Sequence, residues 1–149
     1  MQRETAPETW GQLLRAQACL RRALSVELQQ RHGLSINDYE VLLHLAGDEC
    51  LRRVDLAARV SLTASGITRL LDGLELAGLV AKGECPTDRR ATYALITDAG
   101  RTRLAEASCT HVQAIRKLFA ERYTAEEIAT LGELLGRLPA APESCCDAA

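Results

Sequence analysis

The chain has 149 residues, 47% hydrophobic and 26% charged, which suits one globular domain and argues against disorder throughout. No apolar run approaches the roughly 18 residues of a membrane span, and the opening Met1 to Glu8 lacks the apolar stretch of a secretory leader, so a cytoplasmic location is expected. A formal net charge of -2, taken as one number, speaks against a nucleic-acid binder.

The elements follow in chain order. Leu13, Leu20, Leu24 and Leu28 form one apolar stripe on a long first helix over about 8–31, closed by Gly33. Ser35 to Asp38 reads as a capping box with Asp in the usual Glu place. The second helix that it opens buries Tyr39, Leu42, Leu43 and Ala46 and closes at Gly47. A short third helix over about 53–60 turns Leu56, Ala57 and Val60 inward, and Ser61-Leu62-Thr63 is a tight turn rich in cap formers. The fourth helix, about 63–77, carries Ile67, Leu70, Leu71 and Leu74 on its inner face and ends at Gly78. Leu79 to Lys82 and Ala91 to Ile96 make a β-hairpin around a polar turn, Glu84 to Arg90. Thr97-Asp98 caps a fifth helix to about residue 122, with Leu104, Ile115, Leu118 and Phe119. Thr124 to Glu127 is a capping box for a sixth, with Ile128, Leu131, Leu135 and Leu138. The expected class is mainly α with a small β-wing, about six helices.

Resolved along the chain, the charge is -2 over 1–51, +3 over 52–103 and -3 over 104–149. Phosphate attraction is local, so a basic centre can serve on an acidic protein. Helices three and four with their three-residue turn have the helix-turn-helix arrangement, in which the second helix enters the major groove. Asp88, Arg89 and Arg90 stand where the hairpin would reach a groove or its phosphates, with Asp88 able to hold a guanidinium in place. Alone, such a tripeptide reads as a solvated turn. Placed after a helix-turn-helix, it is much more specific. With aromatics at 3%, the chain offers little for stacking single-stranded bases.

The run Leu51 to Val80, the wing Cys85 to Gly100 and the leading Gly33 to Leu43 resemble the MarR family (multiple antibiotic resistance regulators). The resemblance spans nearly all of the chain except the last ten residues, and Asp88-Arg89-Arg90 followed by a strand and Thr97-Asp-Ala-Gly100 is its best motif. It implies one domain over 1–138, with dimerisation helices at 1–32 and 98–138 around a winged helix-turn-helix at 36–97. Residues 139–149 are read as a tail. It further implies a homodimer on a pseudo-palindromic double-stranded DNA operator, with half-sites roughly 10 bp apart. By position, Ser61, Thr63, Ser65, Thr68 and Arg69 fall where the family meets the major groove and its phosphates, and Arg89 or Arg90 where it probes the minor groove. Lys82, Arg52, Arg53 and Arg59 are candidate phosphate contacts or solvated charges. Ala64 stands where many relatives carry a polar reader, and Gly73 inside the recognition helix costs about 1 kcal/mol against Ala.

Many family members release DNA when a small phenolic or anionic molecule binds. The candidate lining is Trp10, Leu14, Arg15, Tyr39 and His44; the alternative is that Trp10 and Tyr39 pack at the dimer interface, with Arg15 a surface arginine. No Cys-x-x-Cys pair points to zinc, and neither a metal nor a cofactor is expected. Among six cysteines, Cys19 and the vicinal Cys145-Cys146 are candidate redox or thiophilic-metal sensors. The simpler reading makes Cys19, Cys50 and Cys109 small buried or half-buried hydrophobes. No nucleophile–base pair, metal triad or phosphate loop suggests an enzyme.

Overall fold

The computed structural model describes residues 5–48, 51–85 and 88–138, with side chains described throughout except at 85 and 88–92. The expected tail at 139–149, with Cys145 and Cys146, lies outside the described residues, as does Cys50. The elements run α1 (Ala6–His32), α2 (Ile36–Gly47), β1 (Leu51–Arg52), α3 (Arg53–Arg59), α4 (Ala64–Leu76), β2 (Val80–Cys85), β3 (Asp88–Ile96), α5 (Asp98–Ala120) and α6 (Ala125–Leu135). Two compact units result, one through Val112 and one from Gln113.

In the first unit, Leu28 of α1, Leu42 and Leu45 of α2, Leu56 of α3, Ile67, Leu71 and Leu74 of α4, and Leu104 and Ala107 of α5 form one buried core. Burying each such leucine removes apolar surface worth about 2 kcal/mol from water, the main term holding these elements together. Local chemistry sets their ends. Gly33, at φ 67°, closes α1 in the left-handed conformation that glycine adopts without penalty. The Ser35 hydroxyl accepts from the Asp38 amide at 3.1 Å while the Asp38 carboxylate accepts from the Ser35 amide at 2.8 Å. This is the expected capping box.

Helix α2 has neighbours on two sides, α1 and β3. Its buried stripe therefore turns round the helix, from Ile36 and Tyr39 to Val41, Leu42 and Leu45. Leu43, expected inside, is left 48% exposed. The Arg21 guanidinium clamps α1 to α2, donating to both Glu40 carboxylate oxygens at 2.6 and 3.1 Å and to the Asn37 side-chain oxygen at 2.8 Å. Tyr39 reaches α5, its hydroxyl 3.3 Å from that of Ser108 and its ring centroid 4.6 Å from that of His111.

The sheet is larger than the expected hairpin. Its order is β1-β3-β2, antiparallel throughout, with Leu51 opposite Ala94 and Val80 opposite Ile96. A two-residue strand has no legible period, which is why β1 escapes sequence reading. The arms of the hairpin also run further than expected. Residues 84–85 and 88–90, assigned to the turn, belong to strands, and the pairing register breaks between Glu84 and Cys85.

In the second unit α6 ends at Leu135, so Leu138 lies past the helix. The Thr124–Glu127 capping box forms as expected. Among its apolar side chains Leu134, Leu135 and Leu138 are exposed, and no residue of α6 is buried.

Candidate nucleic-acid interface

Helix α3 ends in a tight left-handed turn. The Leu62 amide donates to the Ala57 carbonyl at 2.9 Å and the Ser61 amide to the Ala58 carbonyl at 3.3 Å. These two bonds are the Schellman pattern, which places its turning residue at positive φ, a role usually taken by glycine. Here Ser61 takes it at φ 55°. Thr63 then caps α4, its hydroxyl accepting from the Gly66 amide at 3.1 Å. Turn and cap together aim the first turn of α4 outward, with Ser61, Thr63, Ala64 and Ser65 exposed.

The polar groups on this surface differ in how free they are. The Thr68 hydroxyl donates to the Ala64 carbonyl at 2.9 Å, and Thr63 and Ser65 share their hydroxyls at 3.2 Å. Those oxygens keep acceptor capacity for a base amino group or a phosphate-bound water. Arg69, one helical turn after Ser65, is exposed and has no hydrogen bond or ion pair among the described residues. Its guanidinium is the most available donor fork on α4.

The neighbouring cations are less free. Lys82 on β2 pairs with Glu75 of α4 at 3.2 Å. Arg59 is ion-paired with Asp48. Arg52 donates to the Tyr93 hydroxyl at 3.4 Å. The backbone of Asp88, Arg89 and Arg90 lies in β3, and their side chains are outside the description.

The exit from α4 repeats the turn geometry, with glycine in its usual place. The Leu79 amide donates to the Leu74 carbonyl at 2.9 Å, the Gly78 amide to the Glu75 carbonyl at 2.9 Å, and Gly78 has φ 73°. Thr97 fastens this exit to α5. Its hydroxyl donates to the Gly78 carbonyl at 2.7 Å and accepts from the Gly100 amide at 3.0 Å, while its own amide donates to the Leu79 carbonyl at 3.1 Å.

The profile of the MarR family matches residues 32–91, the stretch from the end of α1 to the wing. The HTH-type transcriptional regulator MhqR of Bacillus subtilis (strain 168) is 31% identical over 110 residues, covering 72% of this chain and 74% of that protein. Sco3205, a MarR family transcriptional regulator from Streptomyces coelicolor crystallised in complex with DNA, is 31% identical, with a TM-score of 0.74 over 91% of this chain and 88% of that one. The chain belongs to the MarR family. CouR from Rhodococcus jostii RHA1, solved bound to p-coumaroyl-CoA, is 26% identical with a TM-score of 0.74 over 95% of this chain and 100% of that one. The Thr97-Asp-Ala-Gly100 motif that contributed to the MarR resemblance is thus the latch between the exit from α4 and the first turn of α5.

The candidate effector residues do not share one environment. Trp10 and Leu14 are 60% and 48% exposed on α1, with Arg15 also exposed; His44 is half-buried and Tyr39 is buried. None of them lines the cleft of about 360 Å³ in the first unit, which is bordered instead by His32, Asp38, Arg69, Gly73 and Arg103 among others. Arg103 carried no signal in the sequence. Gly73 did, as a helix-interior glycine without an evident purpose. The free thiols Cys19 and Cys109 are exposed rather than buried, because each faces away from the core stripe of its helix. No helix among the described residues is long and apolar enough to cross a membrane.

Proposed function

We propose that this protein is a homodimeric transcriptional regulator that binds a pseudo-palindromic double-stranded operator and represses until a small phenolic or anionic effector releases it. The observation that carries the DNA reading is the aim of α4. A left-handed turn at Ser61 and a cap at Thr63 leave its first turn exposed, with Arg69 unpaired behind it. Helix α4 would lie in the major groove, with Ser61, Thr63, Ser65, Thr68 and Arg69 toward bases and phosphates, and the wing at Asp88, Arg89 and Arg90 toward the minor groove. That Sco3205 was crystallised with DNA supports this reading. So does the concentration of positive charge in residues 52–103.

Dimerisation is supported by apolar side chains with no cover in the single chain. Trp10 and Leu14 on α1, and Leu134, Leu135 and Leu138 at the end of the second unit, would lose contact with water in a dimer. The ligand in CouR supports an effector in general but does not name one for this chain. We read no enzymatic role, and the protein is taken to work in the cytoplasm, where its operator is.

The test is fluorescence anisotropy with the intergenic DNA beside the gene, scanned for an inverted repeat. Tight binding should appear at one such repeat, and Arg69→Ala should weaken it about tenfold or more. Arg89→Ala and Arg90→Ala should each weaken it and flatten its salt dependence, with sedimentation still reporting a dimer. Binding that ignores sequence and survives all three substitutions would sink the reading.

A further inference from the structure

Residues four apart on a helix lie one above the other, and α4 turns two such ridges away from its buried stripe. One holds Ser65 and Arg69, both exposed. From it the Arg69 guanidinium can serve a guanine or a phosphate. The other holds Ala64, Thr68 and Asp72, of which Ala64 and Asp72 are exposed and Thr68 is half-buried.

No side chain of this second ridge has a proton to give. Ala64 carries none. Thr68 spends its hydroxyl proton inside the helix, on the Ala64 carbonyl at 2.9 Å. Asp72 is a carboxylate with no side-chain hydrogen bond or ion pair among the described residues. Phosphate oxygens are negative and only accept, so these side chains have nothing to hold them with and one charge that repels them. The ridge suits the base edges between the two backbones rather than a backbone itself.

The bond to Ala64 also fixes what Thr68 presents. A side chain branched at Cβ has few χ1 choices in a helix. With the hydroxyl held against the backbone, the γ-methyl is the group left to meet a partner. The Ala64 β-carbon stands one turn before it, so two methyl groups are neighbours on one side of α4. In the major groove only thymine offers a methyl in return, on C5. Methyl against methyl removes apolar surface from water, whereas methyl against the amino or carbonyl group of another base would bury that group without a partner.

We propose that Thr68, with Ala64 beside it, selects a thymine in each operator half-site by contact with its C5-methyl. The proposal rests on the reading of α4 as the helix that enters the major groove, and it names the base that this flank of the helix takes. A hydroxyl free to turn could serve any base; a methyl locked outward favours one.

The experiment removes that methyl and nothing else. Full-length protein selects duplexes from a random-sequence pool, and the tightest is resynthesised with deoxyuridine in place of thymine, one position at a time. Uracil pairs as thymine does and lacks only the C5-methyl. At one or two positions, uracil in one half-site should weaken binding about fourfold, the worth of one buried methyl-sized group, and uracil in both half-sites about tenfold or more. Thr68→Ser keeps the hydroxyl and its bond to Ala64 but loses the methyl. It should weaken binding of the thymine duplex about fourfold and erase the uracil effect at the position that Thr68 reads. Thr68→Val keeps a methyl and should keep that effect, with circular dichroism showing both variants folded. Specific binding in which no uracil substitution matters overturns the thymine selection and leaves the DNA reading standing. So does a uracil effect that is undiminished at every position in Thr68→Ser, or lost in Thr68→Val. A pool from which no sequence is enriched overturns the DNA reading itself.

Discussion

A β-carbon on Gly100 would stand 2.1 Å from the carbonyl oxygen of Leu79. The first turn of α5 therefore lies directly on the backbone that leaves α4, and only glycine permits the approach. Gly100→Ala should destabilise the protein by roughly 2 kcal/mol, even though alanine favours a helix, because backbone rather than a flexible side chain must yield. Urea unfolding followed by circular dichroism measures this. Gly73→Ala is the matched control and should be neutral or stabilising by up to about 1 kcal/mol.

Ser61 holds a left-handed backbone that costs a residue with a β-carbon about 1 kcal/mol or more. Ser61→Gly should raise stability by roughly 0.5 kcal/mol, the relief being partly offset by the greater freedom of glycine in the unfolded chain. Ser61→Val should lower stability by more than 1 kcal/mol, since β-branching suits this conformation worst. Thermal unfolding of the three proteins gives the order, and a valine variant as stable as wild type would contradict the turn geometry.

Lys82 faces Glu75 across 3.2 Å, so its charge is partly spent before any DNA arrives. Glu75→Gln removes the competitor. Operator affinity should rise roughly two- to fivefold, the usual worth of a surface ion pair, with salt dependence steeper by up to about one phosphate contact. Anisotropy titrations at three salt concentrations would show it, and unchanged affinity and slope would remove Lys82 from the interface.

His111 packs against Tyr39, and its Nδ1 is buried without a partner among the described residues. Burial pushes its pKa below the ordinary value of 6.5, against a smaller opposing pull from Glu40. The neutral ring is the form that the fold prefers. The unfolded chain then binds more protons than the folded one once the pH drops below 6.5, so stability present above that pH is lost as the pH falls through the lower folded value. His111→Gln should reduce that slope, and parallel pH profiles of unfolding for the two proteins would disprove it.

The helices were legible because their apolar residues keep one period. The inner stripe of α4, Ile67, Leu71 and Leu74, is buried as its spacing demands. The Ser35–Asp38 and Thr124–Glu127 boxes form as their residue types require. Less legible were features set by neighbours distant in sequence. Leu43 is exposed because α2 is flanked by both α1 and β3. The strand β1 exists only through its pairing with Ala94 and Tyr93. Of the proposed DNA contacts, residue type and position alone could name Arg69, but they could not show that Lys82 is tied to Glu75 while Arg69 is not. Arg103 was invisible for the same reason, since its place in the cleft is made by the fold and not by any local pattern.

Thr97 bonds to the carbonyls of Gly78 and Leu79 and to the amide of Gly100, and it sits at the junction of β3 and α5. Mechanically this is a weld rather than a joint. The first turn of α5 is thereby fixed against the backbone that leaves α4, and Thr97→Val, which keeps the shape but removes the hydroxyl, would take away two of these bonds without touching the surface that α4 presents.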